Sequence, residues 1–268
     1  MNIDKHIKLS LLEDDCNHDI TTKLIPRINK SKANLISKES FYIYGLNWFE
    51  RVFKQVDNKV KVKTKVNNGD FVKKNEIVAY IYGCNHSILK SERVALNYLQ
   101  VMSGVYDLCI KYRKKLKNNK IKILHTRKTP PLLRLPVSEA CSAAKCLPHR
   151  YSLSSSVLLK ENHLICVSDP IKLIKDYVKK YKQVIVEAKT IRFAKSLEGL
   201  GIERVLLDNF KPSMIKSFLK LNLKLKIELS GSINLSNIDS YLFDGVDYIS
   251  IGSLTKNIES KDLSILIQ

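Results

Sequence analysis

Arginine, the side chain best suited to planar anions, is concentrated in one part of this sequence. The chain has nine arginines against 37 lysines, and five of the nine lie between residues 93 and 150. Two of these five occur in the runs Thr126-Arg127-Lys128-Thr129 and His149-Arg150. A guanidinium group binds a carboxylate or a phosphate through two parallel hydrogen bonds. The clustering therefore predicts a bidentate anion-binding site.

Polar residues also follow a series of short apolar segments. The segments lie at residues 121–125, 157–160, 184–188, 204–208, 226–229 and 248–252. Helical patterns separate several of them, and this alternation indicates parallel βαβ units in a barrel or a doubly wound sheet, with the active site at the carboxyl ends of the strands. Lys160, Glu187 and Asp208 stand at such ends, as do small-residue turns at 230–232 and 252–253. Cations and carboxylates at one rim suit an anionic, phosphorylated substrate with a metal ion.

The first part of the chain has a different pattern of apolar and polar residues. A weak amphipathic helix is expected over residues 1–15. Alternating apolar and polar residues predict strands at 32–37, 60–66 and 76–82. A helix is expected over 91–112, with Ser91 as its N-cap. These patterns predict an N-terminal helix, a β-rich domain and a linking helix over residues 1–112, followed by a catalytic domain over residues 113–268.

The composition points to a cytoplasmic protein. No run approaches the roughly 18 consecutive apolar residues of a membrane span, and the first six residues are mostly polar. The six cysteines include no Cys-x-x-Cys pair, so reduced, mostly buried thiols are expected. The net charge of +20 comes mainly from lysines spread along the whole chain, which is typical of a solvated surface. We therefore expect no membrane partner and no specific nucleic-acid partner.

Several motifs in order resemble the quinolinate phosphoribosyltransferase family. They are the runs at 13–14, 19–22, 92–97, 126–134, 149–150, 160–163, 207–210, 227–231 and 245–252. The resemblance extends from about residue 11 to the C-terminus. It implies an N-terminal open sandwich, an incomplete α/β barrel and a homodimer. The implied activity is decarboxylating transfer of a phosphoribosyl group from phosphoribosyl pyrophosphate (PRPP) to quinolinate, which yields nicotinate mononucleotide for NAD synthesis.

The resemblance also implies roles for individual residues. The two carboxylates of quinolinate would be held by Arg93 of the partner subunit with Arg127, His149, Arg150 and Lys160. Lys128 would face the phosphates of PRPP, and Glu187 and Asp208 would bind ribose hydroxyls and Mg²⁺, directly or through water. The 5′-phosphate would be bound by Ser230, Gly231, Ser232, Gly252 and Ser253. Lys128, Lys160, Glu187 and Asp208 form the implied catalytic set.

Three alternatives remain at this stage. A paralogue of the same fold, associated with molybdenum transport, shares the Thr-Arg-Lys-Thr and His-Arg elements. A catalytically decayed relative would fit the loss of a glycine-rich turn, since Ala144-Lys145-Cys146 stands where the family usually has glycine. From a different class, a basic RNA-binding module would fit the charge, but aromatic residues interleaved with a compact basic stripe are its usual signature. The short lysine runs of this chain are more simply solvated helix faces.

Overall fold

The strands of the chain form two main sheets in a computed structural model, which describes residues 2–117 and 119–268. The chain divides into two compact units. The first unit consists of Met1–Ile110, Thr129–Ala144 and Asn257–Gln268, and the second of Lys111–Lys128 and Lys145–Lys256. The chain first passes from the first unit to the second after Ile110, two residues before the predicted boundary at 112. The two later segments of the first unit lie within the range that the sequence assigned to the catalytic domain.

The helices and strands are numbered in chain order. The helices are α1 (Ile3–Glu13), α2 (Leu46–Val56), α3 (Asn85–Leu116), α4 (Arg134–Ala143), α5 (Glu161–Leu164), α6 (Pro170–Lys180), α7 (Ile191–Ser196), α8 (Pro212–Leu219) and α9 (Ser253–Lys256). The strands are β1 (Ser31–Ser37), β2 (Phe41–Tyr42), β3 (Lys61–Thr64), β4 (Phe71–Val72), β5 (Ile77–Gly83), β6 (Lys122–His125), β7 (Leu147–Pro148), β8 (Val157–Leu159), β9 (Val184–Ala188), β10 (Arg204–Asp208), β11 (Ile227–Ser230), β12 (Tyr248–Ile251) and β13 (Leu263–Ile267).

The first unit is built on an antiparallel sheet in the order β13-β1-β5-β3. The alternating runs near residues 32, 60 and 76 supply three of its strands, as the sequence predicts. The fourth, β13, comes from the C-terminus, where Ile265 pairs with Leu35 of β1. Helix α2 buries Trp48, Phe49 and Phe53 in the same unit. One apolar face per strand and one apolar stripe on the helix account for this core.

The second unit contains a parallel sheet in the order β7-β6-β12-β11-β10-β9-β8. Its middle strands are almost fully buried because helices cover a parallel sheet, so they appear as continuous apolar runs rather than alternating ones. The six predicted strands are all present, and the short edge strand β7 is added beside β6. In the described residues no ladder joins β7 to β8. The predicted incomplete α/β barrel with an N-terminal β-rich domain is confirmed.

Helix α3 begins earlier than the sequence indicated. Ser91 is not its N-cap, because the helix begins at Asn85 and the Ser91 hydroxyl donates to the carbonyl oxygen of Ser87, at 2.7 Å. Asn85 fixes the start instead: its Nδ2 donates to the carbonyl oxygen of Pro26, and its Oδ1 accepts from the backbone N–H of Ile28, each at 2.9 Å. Those partners are far away in sequence, so periodicity could not indicate them. Within the described ranges, no helix combines the length and the apolar character that crossing a membrane requires.

Candidate active site

A large polar cavity opens at the carboxyl ends of the parallel strands of the second unit. Its volume is about 780 Å³. The predicted site residues that line it are Arg127, Lys128, His149, Arg150, Lys160, Glu187, Asp208, Ser230, Gly231 and Ser232. They reach it from the segments at or after β6, β7, β8, β9, β10 and β11, because strands of one parallel sheet all end on the same edge. The sequence separates these residues by more than 100 positions, and the sheet brings them together.

Two guanidinium groups, those of Arg127 and Arg150, contribute positive charge to the cavity. Arg150 donates from Nη1 to the carbonyl oxygen of Ser156, at 3.3 Å. Burial lowers the pKa of Arg150, and the neighbouring positive charge of Arg127 lowers it further. The Nε atom of Arg127 is buried and finds no hydrogen-bond partner among residues 2–117 and 119–268. A bound anion would relieve both the repulsion and the missing hydrogen bond.

His149 is the most enclosed of the cavity's cationic candidates, with its side chain only 8% exposed. Burial is the largest effect that lowers its pKa; Arg204, Arg150 and Lys160 lower it further, and Glu228 partly offsets them. Its Nε2 lies 3.2 Å from Oε1 of Glu228, although the direction does not make a hydrogen bond. These effects favour the neutral imidazole in the free protein, and an anionic ligand would favour its protonated form.

Lys160, a predicted substrate-binding cation, lies close to Glu187, a predicted catalytic carboxylate. Its Nζ lies 3.5 Å from Oε2 of Glu187, which is 12% exposed. The backbone N–H of Lys160 donates to Nδ1 of His163, at 2.9 Å. His163 thus braces the turn after β8, and it is not one of the residues that line the cavity.

The turn after β10 and the turn after β11 each contain a residue with positive φ that shapes the cavity. Asn209, at φ +56°, donates from Nδ2 to Oδ2 of Asp208 at 3.0 Å, and its backbone N–H donates to the carbonyl oxygen of Ser230 at 2.8 Å. Gly231 has φ +94°, and a Cβ there would lie 2.1 Å from Oδ1 of Asn209. Only glycine allows this close approach. The two loops together orient Asp208 and present Ser230 and Ser232 to the cavity.

Three predicted residues do not line the cavity. Arg93 is exposed on the part of α3 that belongs to the first unit. The hydroxyl of Ser253 lies 2.9 Å from that of Tyr112. Gly252 stands next to two lysines of the cavity, since a Cβ there would lie 3.8 Å from Cδ of Lys128 and 3.9 Å from Cε of Lys256. The assignment of these three residues to substrate binding stays a prediction.

The cavity also contains residues that the sequence analysis did not select. They are Thr126, Leu158, Glu161, Asn162, Lys189, Leu206, Asn209, Ser250 and Lys256. Lys189 forms an ion pair with Glu161, and the hydrogen bond and charge of that carboxylate raise the pKa of Lys189. Both residues directly follow predicted strand segments, so their position next to a strand end was the signal that could have identified them.

The turn that departs from the family keeps the backbone conformation that glycine favours. Helix α4 ends at Ala143, and Lys145 has φ +59° with its side chain exposed. This is the position after a helix cap at which glycine is preferred, because a left-handed residue without Cβ is unstrained. Lys145 does not line the cavity. Its side chain therefore does not occupy the predicted substrate cavity.

We expect Lys145→Gly to raise the free energy of unfolding by about 1 kcal/mol, because it removes the strain of an L-residue at positive φ. Urea unfolding measures the change. Lys145→Ala is the matched control, since it removes the same charge but keeps Cβ, and it should stay within about 0.5 kcal/mol of wild type. Equal stabilisation in both variants would attribute the effect to charge and contradict the backbone explanation.

The charges of the cavity favour a polyanionic ligand. The cations Arg127, Lys128, Arg150, Lys160, Lys189 and Lys256 outnumber the carboxylates Glu161, Glu187 and Asp208. In the described part of the chain no group of three or more His, Cys, Asp or Glu side chains is arranged to hold a metal ion by itself. The cavity can therefore bind a planar dianion and phosphate groups, with two carboxylates beside them for a cationic reacting centre or for an ion shared with the ligand.

The chain matches a known family over both of its parts. Residues 107–266 match the family described as quinolinate phosphoribosyl transferase, C-terminal domain. Residues 19–103 match quinolinate phosphoribosyl transferase, N-terminal domain. The C-terminal match alone spans more than half of the chain.

Individual relatives align with this chain over nearly its whole length. The chain is 32% identical to the probable nicotinate-nucleotide pyrophosphorylase (carboxylating) of Methanocaldococcus jannaschii, over 97% of this chain and 95% of the relative. It is 29% identical to the protein of that name from Bacillus subtilis, over 99% and 93%. The solved structure of NadC from Streptococcus pyogenes is similar with a TM-score of 0.92 and 32% identity, over 99% of this chain and 96% of that one.

Proposed function

The chain belongs to the quinolinate phosphoribosyltransferase family, and from this premise we propose that it transfers a phosphoribosyl group from PRPP to quinolinate. The products are nicotinate mononucleotide, pyrophosphate and CO₂, in the synthesis of NAD. This makes the protein a decarboxylating pentosyltransferase. The observation that carries the proposal is the pair Arg127 and Arg150, two neighbouring guanidinium groups in one cavity with Glu187 and Asp208.

Quinolinate fits the cationic part of the cavity because it carries two adjacent carboxylates on a flat ring. Arg127 and Arg150 offer planar donor groups, and Lys160 and His149 add cationic or donor groups beside them. The unsatisfied Nε of Arg127 is a donor that a substrate carboxylate would complete. These residues hold the ring so that its nitrogen faces the ribose of PRPP.

Transfer forms a bond between the ring nitrogen and C1′ of the ribose while the bond from C1′ to pyrophosphate breaks. Positive charge develops on the ribose, which Glu187 and Asp208 stabilise electrostatically and through its hydroxyls. Lys128 binds the phosphates, and Ser230, Gly231 and Ser232 bind the 5′-phosphate with Gly252 and Ser253. The quinolinium adduct then loses CO₂: the electron pair of the broken bond stays on the ring carbon beside the cationic nitrogen and takes a proton. The adjacent cationic nitrogen stabilises this electron pair electrostatically until the proton is taken up from solvent, so this step uses no separate cofactor.

Magnesium is the proposed cofactor of the transfer step. Glu187 and Asp208 would hold it, directly or through water, and the fit rests on the type and number of donors: magnesium commonly takes one or two protein carboxylates together with substrate phosphates. When bound it would neutralise the charge of the departing pyrophosphate.

We expect Asp208→Asn to raise the magnesium concentration for half-maximal activity by about tenfold, since one charged ligand is worth about 1.4 kcal/mol or more. An unchanged magnesium dependence would exclude Asp208 from the ion's surroundings.

A homodimer with shared sites is the proposed assembly. Arg93 would reach the partner's cavity, and its exposure on α3 leaves it available for that contact. Mixing unfolded Arg93→Ala and Arg127→Ala chains and refolding them together would restore about a quarter of wild-type activity, because half of the dimers would be mixed and would contain one intact site. If the mixture stayed as inactive as its components, Arg93 would act within its own chain.

We also propose a cytoplasmic location, because the six cysteines are free thiols, and a reducing compartment keeps thiols in that state.

Ligand binding tests the substrate. At about 100 times its dissociation constant, quinolinate should add about 2.7 kcal/mol to the free energy of unfolding, measured as a rise in the melting temperature. Nicotinate, which lacks one of the two carboxylates, is the matched control ligand and should produce a much smaller shift at the same concentration. Equal shifts would contradict recognition of a dicarboxylate and favour the molybdenum-transport paralogue or a decayed enzyme.

A further inference from the structure

A carboxylate with no solvent contact lies directly behind two residues of the cavity. Glu228 of β11 is 0% exposed. Its Oε1 accepts a hydrogen bond from the hydroxyl of Ser250 and lies 3.2 Å from Nε2 of His149. Ser250 and His149 line the cavity, whereas Glu228 does not. The reaction described above gives Glu228 no role, although an uncompensated buried carboxylate would be strongly unfavourable.

Arg204 compensates the charge of Glu228, but it uses only one of the two carboxylate oxygens. Its Nε donates to Oε2 at 2.5 Å, and its guanidinium carbon lies 5.0 Å from the ring centre of Tyr248. Both residues of the ion pair are buried, and Arg204 is 8% exposed. This contact fixes the carboxylate and leaves Oε1 directed at the cavity residues. An ion pair with a purely structural role between β10 and β11 would not require Oε1 to face His149.

The charges around His149 give that second oxygen a function. Arg204, Arg150 and Lys160 disfavour a positive charge on the imidazole, as does burial, and His125 is a further titratable neighbour. Glu228 is the carboxylate that opposes them. Without it, His149 would have to become cationic next to three cations in a buried site. A neutral imidazole offers a dicarboxylate one hydrogen bond and no charge.

We propose that Glu228 is a positioning residue for the dicarboxylate substrate: its Oε1, 3.2 Å from Nε2 of His149, supplies the negative charge that allows the imidazole to take up a proton from solvent when the substrate binds. The imidazolium then donates from Nε2 toward Glu228 and from Nδ1 toward a substrate carboxylate. Ser250 and Arg204 hold Glu228 in place for this purpose. The inference rests on the proposed function, because it assigns His149 to quinolinate.

The kinetic test uses a double variant, since Glu228→Gln alone would leave Arg204 as an unpaired buried charge and the chain could fail to fold. Arg204→Gln/Glu228→Gln removes both charges. The KM for quinolinate should rise by about 10- to 100-fold, as expected for a lost charge-assisted contact, with a smaller change in kcat. The matched control is Lys226→Gln/Glu203→Gln, an ion pair with Nζ and Oε1 3.4 Å apart whose residues immediately precede the same two strands and whose side chains are 54% and 25% exposed. It should leave both constants unchanged.

His149→Asn distinguishes a role through the imidazole from a general effect on the fold. It should raise the KM for quinolinate by a similar factor, and adding it to the double variant should raise KM no further, because Glu228 acts through His149. A wild-type KM in the double variant would overturn the proposal, and so would a fully multiplicative effect of His149→Asn on top of it.

A measurement without substrate separates this inference from the proposed function. NMR titration of histidine-labelled protein should give a lower pKa for His149 in the double variant than in wild type, because the loss of the Glu228 charge outweighs the loss of the Arg204 charge. An unchanged pKa would overturn the coupling. If the pKa falls but wild-type protein neither binds nor converts quinolinate, the proposed function is wrong, and the role of Glu228 in dicarboxylate binding falls with it.

Discussion

Arg127→Ala is expected to lower kcat/KM for quinolinate by about 100- to 1,000-fold while leaving the fold intact. The reason is that loss of one partly buried, charge-assisted contact costs about 3–4 kcal/mol, and each 1.4 kcal/mol is a factor of ten. The buried Nε of Arg127 has no protein partner in the described residues, so its removal breaks no internal hydrogen bond at that atom. Steady-state kinetics and urea unfolding, measured on the same preparation, check both parts.

Arg113→Ala is the matched control, because Arg113 is exposed on α3 and does not line the cavity. It should keep wild-type kinetics. Lys160→Ala should lose turnover as Arg127→Ala does, since Lys160 contacts Glu187 and lines the same cavity. Wild-type activity in either Arg127→Ala or Lys160→Ala would contradict the assignment of the site.

Gly231→Ala is expected to lower the free energy of unfolding by about 2–4 kcal/mol and to reduce turnover sharply. An alanine at φ +94° is strained by about 1–2 kcal/mol, and its Cβ would lie 2.1 Å from Oδ1 and 2.9 Å from the backbone N of Asn209. Displacing such a contact adds about 1–3 kcal/mol. Asn209 would have to move, and the hydrogen bond that it donates to Asp208 would be lost.

Gly199→Ala provides the control for the strain alone. Gly199 also has positive φ, at +74°, but no atom lies within 4 Å of the position of its added Cβ. It should lose only about 1–2 kcal/mol and keep its activity. If both glycine variants lost equal stability and kept activity, the close approach of Gly231 to Asn209 would have no role in forming the site.

The sequence predicts the sheet of the second unit well, because its strands are short apolar runs separated by helices and by polar turns. The same physical rule predicts that the carboxyl ends meet, and Arg127, Glu187 and Asp208 line one cavity for that reason. Lys189, next to one of those ends, is not predicted, because a single charged residue in a lysine-rich chain resembles solvated surface.

Other features depend on contacts between distant parts of the chain and leave no local signal. Strand β13 is a strand because it pairs with β1, more than 220 residues earlier in the sequence. Helix α3 begins at Asn85 because of hydrogen bonds to residues 26 and 28. In the sequence, Glu228 is a single polar residue within an apolar strand. Its contact with His149 forms only in the folded sheet, where β11 lies near the end of β7.

The most direct test of the central claim is product formation by the purified protein with quinolinate, PRPP and magnesium. We predict equal amounts of nicotinate mononucleotide, pyrophosphate and CO₂, with CO₂ released from the carboxylate beside the ring nitrogen, and no mononucleotide when nicotinate replaces quinolinate. Folded, dimeric protein that forms none of these products from quinolinate, or that uses nicotinate equally well, would contradict the account.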